Sequence, residues 1–128
     1  MVHVAAAIIR NQNGEFLICQ RGPSGSCANL WEFPGGKLEP AETLEACLIR
    51  ECMEELNVTV AIDYFYDETE YAYPDKTVRL SFFFAHILEG EPQLNVHTAI
   101  QWAKPEELSG YPFCPADVPM LERLTLLS

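Results

Sequence analysis

Between Gly36 and Val58 the chain carries a fixed arrangement of charge: Glu42, then Arg50-Glu51-Cys52-Met53-Glu54-Glu55-Leu56-Asn57. Glu51 precedes Glu54 and Glu55 by three and four residues. On a helix of about 3.6 residues per turn, all three carboxylates then fall within an arc of about 100°. Like charges at that spacing oppose helix formation by roughly 0.2–0.5 kcal/mol per pair. When partly desolvated, each pair at about 6 Å repels by ~3 kcal/mol at an effective dielectric of about 20. Arg50 is the only base within reach. A helix keeps such a cluster when a cation sits on it. Oxygen-only ligands on flexible carboxylates point to Mg²⁺ or Mn²⁺ rather than zinc.

The position of that arc on the helix strengthens the reading. With Glu51 at zero, Leu44, Leu48, Cys52 and Leu56 lie at about 20°, 60°, 100° and 140°, with Ile49 and Met53 further round. The carboxylates therefore adjoin the apolar stripe, whereas a solvated acidic face would oppose it. Thr43 is a plausible N-cap for a helix running to about Leu56.

The spacing resembles the Nudix box, Gly-x5-Glu-x7-Arg-Glu-U-x-Glu-Glu-x-Gly-U, where U is a bulky apolar residue. It agrees at every fixed position but one, with Cys52 a small apolar residue at the first U. Asn57 stands where the pattern has Gly. A left-handed backbone is expected there, and Asn tolerates it better than any other non-glycine residue. Further segments are similar to the MutT-type nucleoside triphosphate pyrophosphohydrolases of that family. They are Leu30-Trp31-Glu32-Phe33-Pro34-Gly35-Gly36-Lys37, Tyr73-Pro74-Asp75-Lys76, Gly90-Glu91-Pro92, Gln101-Trp102 and Pro115-Ala116-Asp117-Val118-Pro119.

The resemblance implies an α/β fold, an α/β/α sandwich with a central mixed β-sheet. It also implies a reaction: water attacks a phosphorus of a nucleoside triphosphate, giving nucleoside monophosphate and pyrophosphate. Residue by residue, it implies that Glu51, Glu54 and Glu55 hold Mg²⁺ together with the Gly35 carbonyl. Arg50 pairs with this cluster and orients it, and Glu51 is the first candidate for proton acceptor. Arg21 and Lys37 neutralise phosphate, although Arg21 suits a surface position at a strand end equally well. Phe33 or Tyr73 packs against the base or simply fills the core. Asp117 either reads the base or caps the last helix. MutT-type enzymes often carry another acid in the loop before the last strand. Asn95-Val96-His97-Thr98 has none, and His97 is either a base, an outer-sphere ligand or a solvated loop residue.

Members that sanitise oxidised guanine carry Asn at the position of Asp117. An ionised Asp only accepts hydrogen bonds, which suits the amine of cytosine or the N–H groups of a purine. The expected substrate is an oxidised purine nucleotide such as 8-oxo-dGTP, and the alternative is CTP, dCTP or a modified cytosine nucleotide. A non-catalytic Nudix binding module would be signalled by lost metal ligands, and all three Glu residues are present.

Bulk properties agree with a small enzyme. At 128 residues and 48% hydrophobic, the chain has material for one domain spanning 1–128 with a real core. A net charge of −11 excludes a nucleic-acid polymer as partner, because that affinity rests on Lys and Arg. A nucleotide is compatible, since it arrives as its magnesium complex. No apolar run approaches the ~20 residues of a membrane span, and Val2–Ile9 is too short for a signal peptide. Five cysteines without a Cys-x-x-Cys pair read as reduced thiols of a cytoplasmic protein. A monomer or weak homodimer is expected.

The elements that must position these groups follow from apolar periodicity and turn residues. Val2–Arg10 and Glu15–Gln20 read as strands of a hairpin around Asn11-Gln12-Asn13-Gly14. Gly22–Asn29 reads as a loop, Leu30–Phe33 as extended, and Pro34-Gly35-Gly36 as a turn allowing close backbone approach. Val58–Ile62, Tyr64–Tyr73, Thr77–Leu88 and Ala99–Ala103 read as strands, the third buried on both faces around Phe82-Phe83-Phe84. Pro105–Leu108 reads as one helical turn and Pro119–Leu127 as a closing amphipathic helix.

Overall fold

The computed structural model describes residues 1–126. In chain order the elements are β1 (Val2–Ile9), β2 (Phe16–Gln20), β3 (Trp31–Glu32), β4 (Gly35–Lys37), α1 (Leu44–Leu56), β5 (Thr59–Tyr73), β6 (Lys76–Glu89), β7 (Ala99–Ala103) and α2 (Val118–Thr125). Two 3-10 segments, Pro105–Gly110 and Pro115–Asp117, precede α2.

Strand alternation sets the layers. Ala5, Ala7 and Ile9 of β1 pack with Cys47, Leu48, Cys52 and Leu56 of α1. Ala6 and Ile8 pack on the other side with Met120, Leu121 and Leu124 of α2. β6 divides likewise, Phe83 and Ala85 toward α1 and Phe82 and Phe84 toward α2. The phenylalanine run is thus buried on both faces, as expected, and the strands lie between the helices in an α/β/α arrangement.

The middle layer holds the expected mixed sheet and, beside it, a second, smaller sheet. The first is mixed, in the order β4-β1-β6-β5, with β1 parallel to β6 and the other pairs antiparallel. The second is antiparallel, in the order β3-β2-β7. This corrects the expected hairpin. Its turn forms, with Asn11 Oδ1 accepting from the backbone N–H groups of Asn13 and Glu15. However, β1 and β2 share only an Arg10–Phe16 bridge, because β4 and β6 occupy both edges of β1.

The glycine turn is also corrected. The chain bends at Pro34, but Gly35 and Gly36 belong to β4 and pair with Ala6 and Ala5. Val58–Ile62 and Tyr64–Tyr73 merge into one strand, β5, with register shifts at Thr59/Val60, Ile62/Tyr64 and Phe65/Asp67. The closing helix starts at Val118 and ends at Thr125, so the expected end at Leu127 lies outside the described residues.

Both ends of α1 form as the sequence predicts. Thr43 Oγ1 accepts from the Ala46 N–H at 3.1 Å. Asn57 adopts φ 58° and ψ 37°, and its N–H returns to the Met53 carbonyl at 3.0 Å. A side chain with no local hydrogen bonding pays for a left-handed backbone, at about 1–2 kcal/mol. Asn57→Ala is therefore expected to lower unfolding free energy by about 1 kcal/mol, and Asn57→Gly to change it by less than about 0.5 kcal/mol. Urea denaturation of the three chains measures both.

Candidate active site

The acidic flank of α1 is organised by one guanidinium. Arg50 Nε and Nη2 donate to the two Glu42 carboxylate oxygens at 2.7 and 3.0 Å. Its Nη1 donates to Glu51 Oε1 at 2.7 Å and to Glu54 Oε2 at 3.3 Å, and Glu39 lies 3.5 Å from Nε. Nη2 also reaches the Lys37 carbonyl at 3.2 Å, which ties α1 to β4. Hydrogen bonding to Arg50 holds the Glu42 carboxyl down at about 2. Arg50 therefore pairs with Glu39, Glu42, Glu51 and Glu54 at once.

β4 makes room for these carboxylates. A Cβ on Gly36 would lie 2.2 Å from Glu51 Cδ, and one on Gly35 would lie 2.0 Å from the Ala5 carbonyl oxygen. Only residues without side chains allow strand and helix to approach so closely.

Glu55 turns the other way. Its carboxylate lies near the Gly35 backbone, and its Oε1 is buried without a hydrogen-bond partner. Burial pushes its carboxyl up to about 7; the His97 charge opposes the rise, and Glu32 and Glu51 add to it. The three box carboxylates thus share one helical flank but not one point. Among the described residues no three acidic, histidine or cysteine side chains gather as a finished cation site. The donor set nevertheless fits a hard divalent cation. It consists of oxygens only, one buried and unpartnered, in a field too negative to be comfortable alone.

The expected substrate contacts converge. Arg21, Phe33, Gly35, Lys37, Tyr73 and Asp117 all line one cavity of about 260 Å³, which Glu55 also borders. Phe33 is buried among Phe82 and Phe113, at ring-centroid distances of 6.1 and 5.5 Å. The Tyr73 hydroxyl accepts from the Ala116 N–H at 3.3 Å and lies 3.6 Å from Cys27 Sγ. Lys37 is exposed at the rim. Arg21 is not a free surface residue: Nε donates to the Ser26 carbonyl and Nη1 to Glu32 Oε1, both at 2.9 Å.

Two expectations need correction. Asp117 stands at the N-cap position of α2 but makes no capping hydrogen bond. It is buried, and its Oδ2 accepts from the Phe33 N–H at 3.2 Å instead. Burial raises its carboxyl well above the ordinary range; the Glu32 charge adds, while the Phe33 N–H and Arg21 oppose. His97 is not a solvated loop residue. It is 7% exposed, with Nε2 2.9 Å from Glu32 Oε2 and Nδ1 buried without a partner. A second cavity of about 220 Å³ joins His97, Glu32, Arg21 and Glu55.

Glu32 is the residue that sequence reasoning missed. The available signal was an acid inside the apolar run Leu30-Trp31-Glu32-Phe33. Since Phe33 faces the core, its neighbour on an extended chain must face away from it.

The raised Glu55 carboxyl has a measurable consequence. Its folded value of about 7 lies above the ordinary value of 4.5, so the native chain binds the extra proton. Stability from this group is then full below about 4.5 and falls as pH rises to about 7 and beyond, by about 3 kcal/mol in all. Without divalent cation, Glu55→Gln is expected to raise unfolding free energy at pH 8 and leave it nearly unchanged at pH 4. Asp117 tilts both chains in the same direction, so the difference between them isolates Glu55. Urea unfolding at the two pH values reads it.

A family model described as the NUDIX domain matches residues 5–123. The chain is 35% identical over 127 residues to the CTP pyrophosphohydrolase of Escherichia coli (strain K12), covering 99% of this chain and 93% of that one. It is also 35% identical over 126 residues to the 8-oxo-dGTP diphosphatase of the same strain, covering 98% of each. The crystal structure of the MutT protein from Methanosarcina mazei Go1 superposes with a TM-score of 0.86 at 27% identity, covering 97% of this chain and 92% of that chain. The match runs through both core clusters, the glycine strand and the whole of α1: the chain belongs to the Nudix family.

Proposed function

We propose that the chain is a Mg²⁺-dependent nucleoside triphosphate pyrophosphohydrolase, releasing nucleoside monophosphate and pyrophosphate, with oxidised purine triphosphates such as 8-oxo-dGTP as substrates. The observation that carries this reading is the mixed wall of the main cavity. Arg21, Glu32, Lys37, Glu55 and Lys76 give the cavity charged wall, while Phe33, Val78, Leu80 and the ring of Tyr73 give it apolar wall beside the Asp117 carboxyl. A nucleotide combines the same two kinds of surface. The E. coli 8-oxo-dGTP diphosphatase, 35% identical over nearly the full length of both chains, supports the choice of base.

Glu51, Glu54, Glu55 and the Gly35 carbonyl would hold the metal. Mg²⁺, when bound, supplies positive charge for an in-line displacement at phosphorus. Arg21 and Lys37 meet the phosphate oxygens that the acidic wall would otherwise repel. Arg50 keeps Glu51 against Gly36, where the carboxylate accepts the proton of the attacking water. A bond forms between water oxygen and phosphorus, and the bridge between α- and β-phosphates breaks with its electron pair leaving on oxygen. Phe33 and Tyr73 flank the base, and Asp117 hydrogen-bonds to its polar edge.

A second reading keeps the reaction and makes cytosine nucleotides the substrates. Asp117 favours it, because a carboxyl oxygen accepts from the exocyclic amine of cytosine whether or not the group is ionised. The E. coli CTP pyrophosphohydrolase lies at the same identity as the 8-oxo-dGTP diphosphatase. A panel of nucleoside triphosphates assayed with Mg²⁺, with product identification, separates the two readings. No turnover of any member would leave a binding module.

Glu54→Gln removes one charge with little change in volume. The folded variant is expected to lose turnover by roughly 10²-fold, the scale of one electrostatic stabiliser of a transition state. Near-normal activity at saturating Mg²⁺ would remove Glu54 from the machinery.

Asp117→Asn replaces the carboxyl by an amide that always carries two N–H donors. The ratio of kcat/KM values between 8-oxo-dGTP and dCTP is expected to shift by about 1–3 kcal/mol, the scale of one good polar base contact. An unchanged ratio would move base reading elsewhere in the cavity.

A further inference from the structure

Glu32 stands where a carboxylate works against a polyanion. It lines both cavities with Glu55, and its charge makes the Glu55 and Asp117 carboxylates harder to ionise. Both of its oxygens are engaged. Oε1 accepts from Arg21 Nη1 at 2.9 Å, and Oε2 lies 2.9 Å from His97 Nε2. A carboxylate only accepts, so His97 carries its proton on Nε2 and donates. Its Nδ1 is buried without a hydrogen-bond partner.

Arg21 is consequently clamped at two points, by Ser26 and by Glu32. A guanidinium has five N–H donors, so most of its donors stay available on the cavity side. The clamp is anchored from behind by the loop before β7. Thr98 N–H donates to the Gln20 carbonyl at 3.0 Å, and Asn95 Nδ2 to the Glu54 carbonyl at 3.1 Å. That loop, its buried histidine and Glu32 form one chain of contacts ending on Arg21.

We propose that Glu32 is a positioning residue for phosphate binding: one oxygen holds the Arg21 guanidinium over the cavity, and His97 locks the other. The inference rests on Arg21 meeting phosphate, as in the proposed function. Its effect passes through Arg21 and not through direct contact with substrate. The geometric gain from an ordered guanidinium outweighs the repulsion of one carboxylate whose charge is already shared between two donors.

Calorimetric titration of the full chain with inorganic pyrophosphate in Mg²⁺ tests the phosphate end without a base, alongside steady-state KM and kcat. Arg21→Ala and Glu32→Ala are each expected to weaken pyrophosphate binding about tenfold, the scale of one charge-assisted hydrogen bond. KM should rise by a similar factor and kcat change by less than about threefold, since uniform binding is what is lost. The double variant should bind no worse than Arg21→Ala alone, because the two act as a unit. Glu32→Gln should recover most of the loss, its amide oxygen still accepting from Arg21. His97→Ala should follow Glu32→Ala and keeps the test open if the latter folds poorly.

Tighter pyrophosphate binding by Glu32→Ala, the result if Glu32 only repels the anion, overturns the proposal. So does a lowered melting temperature with unchanged KM, or losses that add in the double variant. If Arg21→Ala weakens binding and Glu32→Ala does not, the inference fails alone. If Arg21→Ala changes nothing, the phosphate role of Arg21 falls and the inference with it.

Discussion

Mutual repulsion of carboxylates is the constraint around which this molecule is arranged. Glu39, Glu42, Glu51 and Glu54 all face Arg50, at distances from 2.7 to 3.5 Å. Exposed ion pairs contribute little singly, but a planar fork shared among four acids imposes geometry as well as charge. Because the same guanidinium reaches the Lys37 carbonyl, neutralising the helix also fixes its distance from β4. The apolar stripe of Cys47, Leu48, Cys52 and Leu56 then anchors α1 to the strands. Charge and packing meet on one helix, and the cavity opens beside their boundary.

That boundary explains why β4 consists largely of glycine. Glu51 fills the space a Gly36 side chain would take, and the Ala5 carbonyl fills that of Gly35. Glu55 lies nearby with one oxygen buried and unpartnered. The chain accepts an unfavourable carboxylate there, which is the usual character of a functional site within an otherwise well-packed fold. Asp117 repeats the pattern in the same cavity, buried with its carboxyl raised.

Much of this was legible because it depends on local rules. The 3.6-residue period set the carboxylates beside the apolar stripe, and Thr43 and Asn57 act at the ends of α1 as their types demand. The phenylalanine run disclosed a strand buried on both faces. What stayed hidden depends on long-range pairing. The Asn11–Gly14 turn is ordinary hairpin chemistry, yet β1 spends both edges on β4 and β6, which local sequence does not reveal. Glu32 and His97 are 65 residues apart in sequence, so their contact exists only after β2, β3 and β7 have paired. Asp117 stands at the helix end that its type suggests, but its bond to Phe33 N–H spans 84 residues. Its burial displaced the local capping role.

The long strand β5 forms the outer margin of the mixed sheet, and such a margin is a template for pairing with other chains. Fifteen residues of straight, regular ladder carrying half-exposed Tyr64 and Phe65 would invite fibrous association. Three register shifts interrupt its pairing pattern, and bulges of this kind twist a strand out of plane. Asp63, Asp67, Glu68 and Glu70 stand along it, each paired with a basic side chain of the same molecule: His86, Arg123 and, for the two glutamates, Arg79. Acidic residues therefore mark both α1 and the outer margin of the mixed sheet.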